Sequence, residues 1–170
     1  MERKVRHSEE VQEEVIMAVS KNIYSLPFNK KDLVRAVSNP KAHYSHFKEA
    51  IDFILPEGSF VLAAKTGVVI DIKDCYKKGG KNVKYANKVN YITIKHSNNE
   101  FSQYVHIKYK GMLVKVGDKV KEKQPIALSG NTGFSTAPHL HFHVLKFNSS
   151  EIGWESLKPR FKDNVRVYKS

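Results

Sequence analysis

The stretch TAPHLHFHV, residues 136–144, decides how the rest of this chain is read, because it sets His139, His141 and His143 two residues apart in a short apolar run. In a β-strand successive side chains point to opposite faces, so the three imidazoles share one face while Leu140, Phe142 and Val144 share the other. The apolar face is the expected core side, which makes the histidine face a pocket wall. Three neighbouring imidazoles repel one another when protonated, and a row of them is easier to hold when a cation keeps them neutral. A polar strand face rich in histidine by chance is the plain alternative; the preference of zinc for imidazole weighs against it.

Working outward, the same period of two recurs in SFVLAA (59–64), GVVIDIKD (67–74), NYITIKH (90–96), EFSQYVHIKY (100–109) and QPIALSG (124–130), all separated by Gly, Asn, Asp and Lys clusters. Short strands at this spacing predict a mainly β fold, an antiparallel sandwich or small barrel. The segment before it reads differently. Ser8 is placed to cap a helix running through EEVQEEVIMAVSKNIYSL, with Val11, Val15, Ala18, Val19 and Asn22/Ile23 giving its helical stripe, and KKDLVRAVSNP (30–40) predicts a second short helix. The expected organisation is therefore a helical annex over residues 1–40, a β domain over 41–148, and a tail over 149–170 packed on the domain through Trp154 and Phe161. The loop from Lys73 to Val89 is longer than the usual connection, which favours either mobility or a place at a binding cleft.

Composition bounds the chemistry. A single cysteine, Cys75, excludes an internal disulfide and a thiolate-rich zinc finger, so any metal must be held by nitrogen and oxygen. Hydrophobic content of 41% with 27% charged residues describes a globular protein rather than a disordered one. The longest unbroken apolar run near the N-terminus, Val15 to Val19, is too short for a membrane span or a signal sequence, and no export signal is visible. The formal net charge is +12; residues 1–40 hold seven Lys/Arg and six Asp/Glu, 7 − 6 = +1, leaving +11 for the remainder. Six lysines in 73–88 and six in 108–123 carry much of that excess. Such stretches suit a polyanion, a nucleic acid or an anionic wall polymer, and equally a solvated surface.

Three further places bear on the histidine strand. HYSHFKEAIDF (43–53) brings His43 and His46 near Asp52, a carboxylate among apolar residues that needs a partner; QYVHIKY sets His106 in an apolar strand, and His96 ends another. Two histidines and one carboxylate leave a fourth zinc position open for water, the pattern of a hydrolytic rather than a structural site. Gly130 and Gly133 permit a tight loop beside the histidine strand, where a peptide could approach closely.

Taken together, AIDFILPEGSFVLAAKTGVVIDI, YVHI and LVKVGDKVKEKQPIALSGNTGFSTAPHLHFHV resemble the lysostaphin/LytM-type zinc endopeptidases, which cut peptide bridges in bacterial cell walls. The resemblance covers roughly residues 43–147. It rests on the order of its signposts: His then Asp, a strand histidine after Tyr, Val-Gly-Asp-x-Val, and Gly-x-Thr-Gly before His-Leu-His. It implies that Asp52 and His141 are ligands of one zinc ion per chain, with His43 as the third ligand and His46 as its alternative. Many relatives place that histidine four residues before the aspartate, where this chain has Lys48. By the same resemblance His139 and His106 are the two catalytic, non-ligand histidines: His139 accepts a proton from the attacking water, while His106 binds the developing oxyanion or orients that water, with the roles open to exchange. Tyr104, Tyr109, Phe134 and the lysine-rich 73–88 loop are candidate walls of the substrate groove. His96 and His143 receive no catalytic role.

The function so implied is a zinc metalloendopeptidase, a monomer in solution, acting on peptide cross-bridges of an anionic cell-wall polymer. The family suggests the cell envelope or exterior, which the lack of a visible export signal does not support. Two other readings compete: a degenerate member that binds the wall or regulates without cutting, and a basic nucleic-acid-binding barrel, which accounts for the lysines but not the histidines.

Overall fold

The structure is a computed structural model that describes residues 18–40, 43, 45–148 and 153–170, with the side chain of His46 outside the described set. Among the described residues fifteen strands carry the fold: β1 (Val19–Tyr24), β2 (Arg35–Ser38), β3 (Ile51–Ile54), β4 (Phe60–Leu62), β5 (Gly67–Lys73), β6 (Gly79–Gly80), β7 (Tyr91–Lys95), β8 (Glu100–Val105), β9 (Ile107–Met112), β10 (Lys119–Val120), β11 (Pro125–Ser129), β12 (Gly133–Phe134), β13 (Leu140–Asn148), β14 (Gly153–Phe161) and β15 (Val167–Lys169). The chain is mainly β, as the period-two segments predict. The large sheet runs β10-β5-β7-β8-β13-β3-β2-β15, with β14 also on β13 and β1 on β14; a three-stranded sheet runs β4-β11-β9. The end strands β10 and β15 pair with no common neighbour, so the large sheet is open rather than a closed barrel. Both sheets contribute to one core, with Phe53, Ile92, Tyr104 and Phe142 from the large sheet meeting Val61, Ile107 and Ile126 from the small one.

Strand β13 organises the site. Its register sets His141 opposite Asp52 of β3 on one side and opposite Val105 of β8 on the other. Directly opposed residues on neighbouring strands project to the same face, so Asp52, Val105 and His141 share one surface while Phe53, Tyr104, Leu140 and Phe142 form the core side. The alternation proposed for HLHFHV holds.

The helical annex does not. Residues 1–17 lie outside the described residues, but Val19–Tyr24 is a strand, parallel to β14. The apolar positions assigned to a helical stripe, Val19 and Ile23, are nearly half exposed, whereas Ser20, Asn22 and Tyr24 point inward. The cause is a tertiary partner. The carboxylate of Glu100, itself 1% exposed, accepts the backbone N–H groups of Lys21 and Asn22 and the Tyr24 hydroxyl, and so draws the segment into extended form. Burial beside that charge pushes the Tyr24 hydroxyl far above its ordinary pKa, first through desolvation and then through Glu100. The second predicted helix is also corrected: only a single 3-10 turn, Lys30–Asp32, forms, and Arg35–Ser38 is a strand between β3 and β15. Pairing to both β3 and β15, with Val37 opposite Asp52, outweighs the weak helical preference of this short segment.

In the C-terminal part, Phe161 packs against Phe53 and Phe142, and Trp154 stands edge-on to Phe101 and Phe147.

Candidate metal centre

Three elements converge at Asp52. Its strand supplies the carboxylate, β13 supplies His141 from directly across the ladder, and the segment ahead of β3 supplies His43. His141 Nδ1 lies 2.9 Å from Asp52 Oδ1, and His43 Nε2 lies 3.2 Å from Oδ2, so each carboxylate oxygen faces one imidazole. One donor atom from each of the three residues falls within 4.8 Å of the others. All are at least largely shielded from solvent. Burial alone would raise the Asp52 pKa, but hydrogen bonds from His141 and His43 and the nearby His141 and His139 rings hold it far below the ordinary carboxylate range. Burial is also the main reason that His141 is held below an ordinary histidine, with Asp52 opposing it. The donor set therefore offers an ionised carboxylate and a neutral imidazole, the forms that a metal binds. Nitrogen and oxygen donors in this number fit zinc, leaving room for an exchangeable ligand.

Two more histidines border the cluster. His106 sits between β8 and β9, where the chain leaves the large sheet for the small one, and has φ of 66°, a left-handed backbone that is costly for a residue with a Cβ. Its Nδ1–H donates to the Thr132 carbonyl at 2.6 Å. Burial, then the neighbouring His139 and His141, lowers its pKa to about 3. His139 lies just before β13; its Nδ1–H donates to the Ala137 carbonyl at 2.8 Å, with Ser135 Oγ at 3.2 Å. The His106 and His139 ring centres are 4.3 Å apart, and His139 Nε2 is 3.7 Å from Asp52 Oδ1. In both rings Nδ1 is committed to a carbonyl, so Nε2 is the atom left to act.

His143 is fully buried next to this group: its Nδ1 lies 3.1 Å from His141 Nε2, and the Phe47 ring packs against both histidines. His96 belongs elsewhere. Its Nδ1–H donates to the Thr66 carbonyl, and its Nε2 pairs with Ser102 Oγ, which also meets Tyr104 Oη. That network corrects one groove candidate. Tyr104 is wholly buried on the core side, its ring edge-on to Phe142 and its oxygen accepting the Ala64 N–H, so it faces no groove. It lies opposite Phe142, not opposite a histidine. Tyr109 and the exposed Phe134 remain at the surface near the histidines' supporting loop. His46 falls within the short turn Ser45–Phe47.

Sequence reasoning missed Asn90 and Thr132. Thr132 accepts the Asn90 N–H on its hydroxyl, donates that hydroxyl to Ile107 O, and offers its carbonyl to His106. Asn90, with no exposed surface, receives the Cys75 and Tyr76 N–H groups on Oδ1 and donates Nδ2 to the Tyr76 and Ile107 carbonyls. The 73–89 loop is thus pinned to the loop that carries Thr132. An asparagine heading a strand was the only hint.

A family model described as peptidase family M23 matches residues 46–153, more than half of the chain. A protein described as an uncharacterized metalloprotease, from Buchnera aphidicola subsp. Baizongia pistaciae, is 39% identical over 152 residues, which cover 84% of this chain and 36% of that protein. The peptidoglycan DD-endopeptidase ShyA of Vibrio cholerae is 39% identical over 94 residues, 55% of this chain and 19% of ShyA. A solved zinc-containing peptidase from Vibrio cholerae superposes with a TM-score of 0.50 at 28% identity, covering 88% of this chain and 40% of that one. The chain thus spans little more than a third of the length of the first of these relatives and about a fifth of ShyA. With the family match extending across β3, β8 and β13, the strands that gather Asp52, His106 and His141, this chain belongs to peptidase family M23.

Proposed function

We propose that this chain is a zinc-dependent endopeptidase that cuts peptide cross-links of peptidoglycan, with His43, Asp52 and His141 as metal ligands and His139 and His106 as catalytic residues. The observation that carries the proposal is the meeting of three donor atoms within 4.8 Å beside two imidazoles whose Nδ1 atoms are already engaged. Bound zinc supplies Lewis acidity, lowering the pKa of a ligated water to about 7 and polarising a carbonyl. His139 Nε2 takes up the proton released in the attack and returns it to the leaving amine. His106, kept neutral with its proton on Nδ1, holds the attacking water through its Nε2 lone pair; Thr132 fixes the ring for that task. With Nδ1 of His141 serving as the metal ligand, its single proton would sit on Nε2, where His143 Nδ1 would accept it and orient the ring, as partners of metal-bound histidines commonly do. No nucleophilic serine or cysteine is required.

The peptidoglycan substrate is supported by relatives such as ShyA, named a peptidoglycan DD-endopeptidase, and lysostaphin. Among the described residues no helix is long and apolar enough to cross a membrane. The test is incubation of the zinc-loaded protein with purified sacculi, with products identified by mass spectrometry. New amine termini at one peptide position are expected, and they disappear in His139→Ala at unchanged zinc content. Intact sacculi after prolonged incubation, or wild-type cleavage by His139→Ala, overturns the proposal.

A further inference from the structure

A second concavity borders the loop that holds His106 and has no part in the chemistry above. It encloses about 380 Å³, and its wall includes Lys77 and Lys78 from the 73–89 loop, Lys108 and Tyr109 from β9, and Asn131 and Thr132 from the loop that holds His106. Thr132 is shared between cavity and site: its carbonyl is the atom bonded to His106 Nδ1.

The cavity is cationic and firmly built. Three lysines face one carboxylate, Glu57, for a local balance of 3 − 1 = +2, and Glu57 reaches only Lys108, at 4.0 Å. Lys77 and Lys78 have no carboxylate partner among the described residues; Lys77 Nζ instead rests 5.1 Å from the centre of the Tyr109 ring. Asn131 Oδ1 is buried and has no hydrogen-bond partner among the described residues, an acceptor that calls for an N–H. The lysine loop is not a free flap. Strand β6 pairs in parallel with β12, Asn90 clamps residues 75 and 76, and Gly79 approaches the Asn131 carbonyl so closely that a Cβ there would lie 2.0 Å from it. Only glycine permits that approach, which holds the adjoining lysines against the catalytic loop.

We infer that this cavity is a subsite for a substrate residue bearing a free carboxylate, bound by Lys77, Lys78 and Lys108. This rests on the peptidase reading of the neighbouring site and narrows its substrate to acidic peptides. A nucleic acid is disfavoured because the three cations converge on one pocket of amino-acid size, whereas a phosphate backbone is tracked by an extended stripe.

The test uses synthetic cross-linked peptide dimers whose C-terminal carboxylate, side-chain carboxylate or both are converted to amides, with zinc-loaded wild type and the triple variant Lys77→Gln/Lys78→Gln/Lys108→Gln. Charge-assisted contacts of this kind predict about a tenfold preference in kcat/KM for the acid over the doubly amidated peptide, mostly in KM, collapsing towards one in the variant at an unchanged melting temperature. The singly amidated peptides show which carboxylate is read. Equal cleavage of acid and amide forms by the wild type overturns the subsite. If no peptide is cut, the hydrolytic reading fails, and binding of the same peptides decides the subsite: an acid preference lost in the variant upholds it, and equal binding overturns it. Lysine-dependent binding of a single-stranded oligonucleotide, with acid and amide peptides bound alike, assigns the lysines to nucleic acid and also overturns it.

Discussion

Replacing Asn90 by leucine, close to it in shape, isolates what its carboxamide does. The side chain has no exposed surface, so the substitution keeps packing while deleting four hydrogen bonds: those from the Cys75 and Tyr76 N–H groups and those to the Tyr76 and Ile107 carbonyls. Ile107 O keeps the Thr132 hydroxyl as a donor, and the exposed Cys75 gives its N–H access to water, so two of the four losses are partly made good. At about 1 kcal/mol net per bond, with a larger penalty for a partner left buried and bare, the expected cost is about 3 kcal/mol. For a chain of this size, at roughly 2–4 °C per kcal/mol, the melting temperature should fall by about 6–12 °C. Urea denaturation should show the midpoint lowered at constant m-value. Activity should fall as well, measured well below the new transition, because Thr132 loses its tie to the 73–89 loop and His106 loses a fixed neighbour; on the order of tenfold in kcat/KM is expected for a misplacement of this kind. A stability change below about 0.5 kcal/mol, the range of an ordinary surface substitution, would refute the account of Asn90 as the clamp.

Removing the partner of His141 in His143→Phe should weaken zinc retention about 10- to 100-fold against a competing chelator; unchanged retention counts against the orienting role. Glu100→Gln leaves one of three donors facing an amide N–H and should cost about 2–3 kcal/mol, with new proteolytic cleavage within residues 19–24 as the readout. Burial holds the His96 pKa below 6.5, so its neutral form is the folded one: the stability it contributes is complete above pH 6.5 and is lost as pH falls from there through its folded value. His96→Gln should therefore lose less stability than wild type between pH 7.5 and pH 5 in urea titrations; an equal or steeper loss removes His96 from that dependence. Dialysis against a chelator should abolish cleavage and lower the melting temperature, and added zinc should restore both, since a ligand bound only to the folded state stabilises it.

Much of the fold was legible because its strands have a local cause. Alternation in GVVIDIKD, NYITIKH, EFSQYV and HLHFHVLKF places side chains on two faces whatever lies beyond, and β5, β7, β8 and β13 follow it. The helical annex failed for the converse reason. Val15, Val19 and Ile23 recur every four residues, yet the described part of that segment is extended, since the buried Glu100 carboxylate some eighty residues away needs its N–H groups. The groove assignment of Tyr104 failed similarly: its register opposite Phe142 turns it into the core.

The order of motifs by itself determined the family, the mainly β character and the residue types available for a metal, because those depend on short-range pattern and on which side chains can carry charge or donate a lone pair. Only the tertiary structure decided that β3 and β13 lie side by side so that Asp52 meets His141, that the left-handed turn at His106 aims its ring at them, and that Asn90 and Thr132 hold the surrounding loops. Those outcomes are set by contacts between residues far apart in the chain, and such contacts form only when the packing of the whole sheet repays the entropy of bringing them together.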